Sequence, residues 1–473
     1  MFSFTRFWTV RLFSILIVVA LAIGLQNLIV PHLGIYDIRL LVLSMLFASL
    51  AVSLTLINGI TGQFSMGHAA FYLIGAYTGA KLTNVFFATQ TLSGPVWLLL
   101  MVLVGGIAAA FVGFIVGLPS LRLRGDYLAI VTLGFGEIAR VIVNNQDGGK
   151  SSIAGLDLGG SYAMNVSHKL TDVAYVAILL VVTIAVARNL LKTAHGLTFL
   201  AVREDELAAE ATGVNTTKVK VLAFVVGAAL AGMAGVLFAH YNGTVAPDDF
   251  KMDVSFIIVT MVVIGGTGSI TGAAVAGVTL KLLEEGLRNL PPVPAINLLA
   301  FVLVSIAVFV TYQKLNRKLN FAGNPAYTTT LMDFGVFGCV ALLYVLYPLW
   351  TSNFSIVLKV AGSITLTIAA LTIRSPRYRA VALPRFGLLT LAICIIYLLR
   401  IPIIACLHSI PVVEGALSAT TYTGNDLRWV FFAVALVVTM LVRSQGIFGH
   451  HEFSWSFVSK LFGGKHRDTA VNI

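Results

Sequence analysis

Residues 196–213 read Gly196-Leu-Thr-Phe-Leu-Ala-Val-Arg-Glu-Asp-Glu-Leu-Ala-Ala-Glu-Ala-Thr-Gly213, a charged, helix-forming stretch between apolar runs at about 172–190 and 220–239. A polar loop of good helix formers between two such runs gives a soluble partner something to grip. Outward from it the chain is almost entirely apolar. Of its 473 residues 58% are hydrophobic and 11% charged, against the ~25% charged residues of a soluble domain. The apolar runs are close to the ~20 residues with which a helix crosses a bilayer, and they are not the ~10-residue alternating segments of a β-barrel. The fold class expected is all-α: a polytopic transmembrane helical bundle.

Fourteen spans are expected, at about 12–30, 40–57, 67–81, 96–118, 127–143, 172–190, 220–239, 254–264, 270–287, 297–313, 329–349, 354–373, 387–405 and 426–442. With both termini inside, most of the 31 basic residues fall in inner loops, as the positive-inside bias requires. The loop 191–219 then faces the cytoplasm. The net charge of +11 is accounted for by this bias, so no nucleic-acid partner is expected. Arg6 and Arg11 precede an apolar run to Val30 that continues past Ala20-Leu-Ala22, which favours an uncleaved first span over a signal peptide. Cys339, Cys394 and Cys406 lie in or beside apolar runs without metal-ligand spacing.

Two stretches interrupt the apolar pattern. Residues 57–71 read Ile-Asn-Gly-Ile-Thr-Gly-Gln-Phe-Ser-Met-Gly-His-Ala-Ala-Phe, and residues 264–277 read Ile-Gly-Gly-Thr-Gly-Ser-Ile-Thr-Gly-Ala-Ala-Val-Ala-Gly. The run before the second, 254–264, would extend only ~16 Å as a helix, about half of a ~30 Å hydrocarbon core. A helix broken at membrane depth is tolerated only where protein or a water-filled cavity covers its freed backbone. Paired breaks in two parts of a chain point to a transport path. Gly59, Gly62, Gln63, Ser65, Gly67 and His68 in the first, and Gly265, Gly266, Gly268 and Gly272 in the second, are the candidates for shaping a path or gate. Small residues also pack helices closely, as in Gly75-xxx-Gly79 and Gly113-xxx-Gly117. The two stretches share a loose Thr-Gly…Gly-x-Ala pattern.

Catalytic and metal motifs are missing. Gly149-Lys150-Ser151 has Asn144 where a phosphate-binding loop needs its first Gly. Neither His-Glu-x-x-His nor Gly-x-Ser-x-Gly occurs, and His450-His451 belongs to the tail. Glu137 and Arg140 stand three apart, a spacing that lets them pair on one helix face. No series of intramembrane carboxylates suggests a proton relay. The expected protein is not an enzyme, with no metal.

Asn58-Gly-Ile-Thr-Gly-Gln-Phe-Ser-Met-Gly-His-Ala-Ala-Phe-Tyr-Leu-Ile-Gly-Ala-Tyr77 resembles the signature of the membrane permeases of branched-chain amino-acid ABC importers. So do Leu121-Arg-Leu-Arg-Gly-Asp-Tyr-Leu-Ala-Ile-Val-Thr-Leu133, the segment 196–213, Val263-Ile-Gly-Gly-Thr-Gly-Ser-Ile-Thr-Gly-Ala-Ala274 and Leu441-Val-Arg-Ser-Gln-Gly-Ile-Phe-Gly449. The resemblance covers about 36–290 and 426–449, and is to the M-type permease. It implies a bacterial inner-membrane complex with a second permease, cytoplasmic ATPase subunits and a periplasmic substrate-binding protein. No cofactor would be bound by this chain, and ATP would be used by the partner subunits. Arg203, Glu204, Asp205, Glu206, Ala208, Ala209 and Gly213 would then form the segment that docks into an ATPase. Leu207 stands where the general importer pattern has Glu, with Glu206 one residue early.

The resemblance divides the chain into a permease core (1–290), an inserted transmembrane bundle (291–425), a final permease helix with its terminal motif (426–449) and a cytoplasmic tail (450–473). Four inserted spans, an even number, keep the last helix in its family orientation. Branched-chain or other small apolar amino acids are the expected cargo. A urea or amide importer of the same architecture, an ion-coupled secondary transporter and a membrane scaffold remain the alternatives.

Overall fold

The structure is a computed structural model. It describes residues 19–87, 91–120, 126–146, 164–166 and 168–288, together with residues 89, 293–294, 421–422, 428–429, 432–433 and 436. The spans expected at 297–313, 329–349, 354–373, 387–405 and 426–442, the three cysteines and His450-His451 lie outside these residues or are described only in isolated positions. The described part is helical. In chain order it holds α1 (Val19–His32), α2 (Ile35–Leu54), α3 (His68–Phe86), α4 (Gly94–Ser120), α5 (Asp126–Asn144), α6 (Val173–Leu191), α7 (Ala194–Glu204), α8 (Glu206–Ala211), α9 (Thr216–Asn242), α10 (Met252–Gly265) and α11 (Ile270–Arg288). Among the described residues, five stretches are long and apolar enough to cross a membrane: Ile35–Ile60, Gly94–Leu118, Tyr127–Asn144, Val173–Leu191 and Thr216–Asn242. Each coincides with a span expected from hydropathy.

The chain divides into two units, Met1–Leu283 with Val434–Ile473, and Glu284–Ala433. At the centre of the first, α3 and α9 cross. At ~1.5 Å per residue the 27 residues of α9 extend ~40 Å, longer than the ~30 Å of a hydrocarbon core. Its ends are set locally. The Asn215 side chain accepts from the Lys218 amide (3.0 Å), and Gly243 closes it at φ 77°, donating to the Ala239 carbonyl (3.0 Å). Between these ends runs a buried series of small residues, Gly227, Ala228, Ala231, Gly232, Ala234 and Gly235.

Apolar surface gives helices no preference for one another over lipid tails, so close packing through small residues decides which of them associate. The crossing uses this. A Cβ on Gly75 would overlap the Gly232 carbonyl, and one on Gly235 would overlap the Tyr72 carbonyl. Gly79 and Gly113 likewise back onto α9, at Val236 and Ala228. The small-residue spacing read from the sequence is therefore a packing device here.

One polar chain locks the end of this crossing. The Trp97 indole donates to the Thr83 hydroxyl oxygen (3.1 Å). Thr83 bonds to His240 Nε2 (2.9 Å), and His240 Nδ1 lies 2.9 Å from the Val236 carbonyl. One tautomer satisfies all three: Nδ1–H donates to the carbonyl and Nε2 accepts from the threonine. Nearby, β1 (Met164–Asn165) and β2 (Thr244–Val245) pair antiparallel, Met164 opposite Val245, and tie the segment before α6 to the end of α9.

In the second unit β3 (Val293–Pro294) pairs antiparallel with β4 (Thr421–Tyr422), and Arg428 bonds to the buried Glu284 carboxylate (3.0 Å). Residues more than a hundred positions apart are thus held side by side.

Gly75→Val is expected to destabilise the protein in detergent by about 3 kcal/mol or more, since it forces a branched side chain against backbone that cannot move aside. Gly134→Ala, with nothing within 4 Å of the added carbon, is expected to be neutral or to stabilise by up to ~1 kcal/mol through helix propensity. Thermal unfolding of the two variants checks the contrast.

Candidate functional site

Both sequence breaks are real helix breaks. At the first, α2 loosens into a π-turn at Thr55–Ile60, the chain runs without regular structure to Gly67, and α3 begins at His68. Backbone groups freed in lipid must find partners within the protein, and side chains supply them. Asn58 brackets the loop: its Nδ2 donates to the Ser65 carbonyl and its Oδ1 accepts from the Ser65 amide, both at 3.1 Å. The Met66 amide donates to Thr132 Oγ1 of α5 (3.0 Å). The Ala69 amide donates to Ser255 Oγ of α10 (3.1 Å). At the second break α10 ends at Gly265, which leads into Gly266 at φ 118°. Ser269 caps the next helix, its Oγ accepting from the Gly272 amide (3.0 Å). At 14 residues, ~21 Å, α10 is longer than its sequence pattern indicated yet still short of a crossing.

The two breaks touch. A Cβ on Gly59 would overlap the Thr267 carbonyl, so only glycine lets the π-turn of the first rest against the loop of the second. Gly67 meets the Thr132 carbonyl just as closely, and Gly265 meets Gly272. Gly268 is half-buried, while Gln63, Ser65 and His68 are buried. His68 Nε2 pairs with Ser53 Oγ at 2.7 Å, and Gln63 Nε2 donates to Thr61 Oγ1 (2.8 Å). Gln63 Oε1, Ser65 Oγ and His68 Nδ1 have no hydrogen-bond partner among the described residues. Three such atoms within six residues mark a place where packing was not optimised for polar satisfaction.

The charged segment lies against the first break. It is two helices rather than one. Asp205 interrupts it at φ −154° and caps α8, accepting from the Leu207 (2.9 Å) and Ala208 (3.1 Å) amides. Asp205 and Glu206 thus sit at a helix start, where the dipole favours acid. Val202, Phe199 and Ala209 are buried and hold the pair to the body. Gly213 turns the chain at φ 89°. The Arg203 side chain runs alongside Gly62, within 3.3 Å of where a Cβ would be, and Gly62 itself stands at φ 70°, a conformation that favours glycine. Partial burial draws the Arg203 guanidinium below its ordinary pKa. Glu206 turns back to Lys220 at the foot of α9 (2.6 Å). Glu204, Leu207, Ala208 and Glu210 are left on the outside.

The predicted residues are therefore brought together in two groups joined at Gly62 and Arg203. The sequence reading did not find Asn58, Thr132, Ser255 and Thr267 as participants. Asn58 and Thr267 were visible within the two quoted stretches, whereas Thr132 and Ser255 reach the first break from other helices. No cluster of residues that could hold a metal ion occurs among the described residues.

The family profile described as branched-chain amino acid transport system / permease component matches residues 37–312. The chain belongs to this family. It is 35% identical over 273 residues to the high-affinity branched-chain amino acid transport system permease protein LivM of Salmonella typhimurium, covering 52% of this chain and 62% of that protein. With Escherichia coli LivM the identity is 36% over the same length and coverage. A probable LivM of Methanocaldococcus jannaschii is 27% identical over 275 residues, 54% of this chain and 79% of the relative. The chain thus spans less than two thirds of the two bacterial LivM proteins. No solved structure matches.

Glu206→Gln is expected to lower thermal stability, because it leaves the nearly buried Lys220 ammonium without its partner. The double variant Glu206→Gln/Lys220→Met should recover most of the loss, since an unpaired charge is worse than none. Melting curves of the single and double variants decide it.

Proposed function

We propose that this chain is a membrane-spanning permease subunit of an ABC importer for branched-chain or other small apolar amino acids. It would work in a bacterial inner membrane beside a second permease, with cytoplasmic ATPase subunits driving it and a periplasmic binding protein delivering cargo. The observation that carries this reading is the contact of the exposed charged segment with the first helix break, in a chain whose family is that of branched-chain amino acid permeases.

Force applied from the cytoplasm to α7 and α8 would reach Gly62 through Arg203. The π-turn that ends at Ile60 rests on the Thr267 loop through Gly59, so movement of the first break would be felt by the second. The polar atoms of Gln63, Ser65 and His68 without partners among the described residues would gain partners as the path opens, which lowers the penalty of opening relative to a fully satisfied closed state. The docking surface would be Glu204, Leu207, Ala208 and Glu210. Ala209 and Glu206 would hold the segment in place, and Asp205 and Gly213 would shape it.

We read residues 291–425 as a bundle inserted into the permease, within fourteen spans in all. The β3–β4 ladder and the Glu284–Arg428 pair support this, since they join the two ends of the insertion. The family match extends to residue 312 and takes in the first of its four spans.

Labelled-leucine uptake in cells deleted for this chain, and in the same cells complemented, tests the cargo. Loss and rescue, blocked by isoleucine or valine but not by urea, are expected. Block by urea alone would favour the amide importer. For the docking surface, Leu207→Glu with Ala208→Arg should reduce uptake at least tenfold and release the ATPase subunits on purification, with an unchanged melting temperature. Full uptake by that variant contradicts the assignment.

A further inference from the structure

Residues 243–251 join α9 to α10 as a strap, irregular apart from the two residues of β2 and a single 3₁₀ turn at Pro247–Phe250. The strap runs back along α3. Near its start the Val245 carbonyl accepts from the Tyr77 hydroxyl (3.3 Å). Further on, the Phe250 ring packs edge-on against Tyr72, with centroids 5.1 Å apart. One turn into α10, Ser255 accepts from the Ala69 amide. The order of contacts along the strap thus reverses the order along α3.

These contacts give the strap a depth. α9 starts beside the charged loop and is long and apolar enough to cross a membrane. Thr83 bonds to His240, close to the end of α9 at Asn242, so Thr83 marks the far end of the α3–α9 pair. From Thr83 back to Tyr72 is ~16 Å of helix, and to Ala69 ~21 Å, against ~30 Å for a whole hydrocarbon core. The strap therefore descends from the face opposite the charged loop to well within the thickness of the bundle.

Irregular backbone at membrane depth is tolerated only where it is buried in protein or lines a water-filled cavity. One side of the strap is buried, at Val245, Pro247 and Phe250. The other side is charged and exposed, at Asp248, Lys251 and Asp253. Asp248 keeps 67% of its side-chain surface free and Lys251 47%, although they pair at 3.1 Å. From α5, Arg140 approaches Asp248 (3.7 Å) and donates to Glu137 (2.9 Å), within a stretch that is itself long and apolar enough to cross. Ionisable groups at such depth face a bundle interior or water rather than lipid. Asp248, Lys251 and Asp253 are too exposed to be the interior of this chain, which leaves water.

We infer that the strap and the second half of α5 form one wall of an aqueous vestibule, open to the face opposite the charged loop. Its floor is the first break. There Met66 meets Phe250, Met252 and Ser255 around a hollow with room for about one water, so the vestibule is closed at that level. The admission of water this far is independent of what is transported. That the vestibule is also the entrance for the cargo rests on the importer reading.

The test compares Asp248→Cys, Lys251→Cys and Asp253→Cys with Ile107→Cys and Phe111→Cys, whose native residues are exposed apolar side chains on α4 (68% and 63%). Spheroplasts carrying the full chain are treated with a charged, membrane-impermeant methanethiosulfonate, and modification at each position is read by mass spectrometry of its peptide. Only a thiolate reacts, and a thiolate forms in water rather than in lipid. The inference predicts modification at 248, 251 and 253 at least tenfold faster than at 107 and 111. Equal rates at the two sets, or an unmodified strap, overturn it. Asp253→Cys removes no ion pair among the described residues and decides the matter alone should the other strap variants fail to assemble. Labelled-leucine uptake after modification then tests the entrance. Modified Lys251→Cys should lose at least fivefold, whereas unchanged uptake at full modification overturns the entrance and leaves the vestibule. A wild-type chain that moves no amino acid removes the importer reading and the entrance together, while the labelling rates still decide the vestibule.

Discussion

Inside a bilayer no water is present to receive a backbone N–H or C=O, so every interruption of a helix must be satisfied by protein. The arrangement of this molecule around its first break follows from that constraint. Seven residues without regular structure, 61–67, are tolerable because Asn58 holds the loop from within, Thr132 reaches it from α5 and Ser255 from α10. Those hydroxyls are within reach only because α5 and α10 pack against the break. The short α10 ends at the second break. Satisfying one interruption thus ties α5 and α10 to it.

Glycine then sets the distances. Gly59 against Thr267 and Gly75 against Gly232 bring backbone to backbone, which lipid-facing apolar side chains cannot do. Contacts this close leave little room to deform and transmit displacement as rigid parts do. Arg203 beside Gly62 makes the charged loop part of the same rigid series. A loop attached to the bundle elsewhere would still be a handle, but one with nothing to pull.

The sequence made the fold class legible because apolar runs and basic loops are local signals. Both breaks were visible for the same reason: each gathers glycine together with serine and threonine within an apolar run. The position of the charged loop was visible too. The partners of the breaks were not. Thr132 and Ser255 lie 66 and 186 residues from the amides they accept, and nothing local distinguishes them from other hydroxyls on helices. The direction of side chains in the charged loop was equally hidden. Ala208 and Ala209 are adjacent and identical, yet one is exposed and the other buried, because Asp205 starts a new helix and resets the phase. Glu137 and Arg140 were legible as a pair, but the approach of Arg140 to Asp248 was not, because only the folded chain brings residue 248 near.

The central claim is that the charged loop drives the first break through the contact between Arg203 and Gly62. The most direct test is ATP hydrolysis and amino-acid uptake measured together in the reconstituted complex carrying Gly62→Val. The added side chain would meet Arg203 and oppose the φ of 70° at this position. The account predicts hydrolysis near the wild-type rate with uptake lost, an engine running without its load. Uptake that continues in proportion to hydrolysis would contradict it.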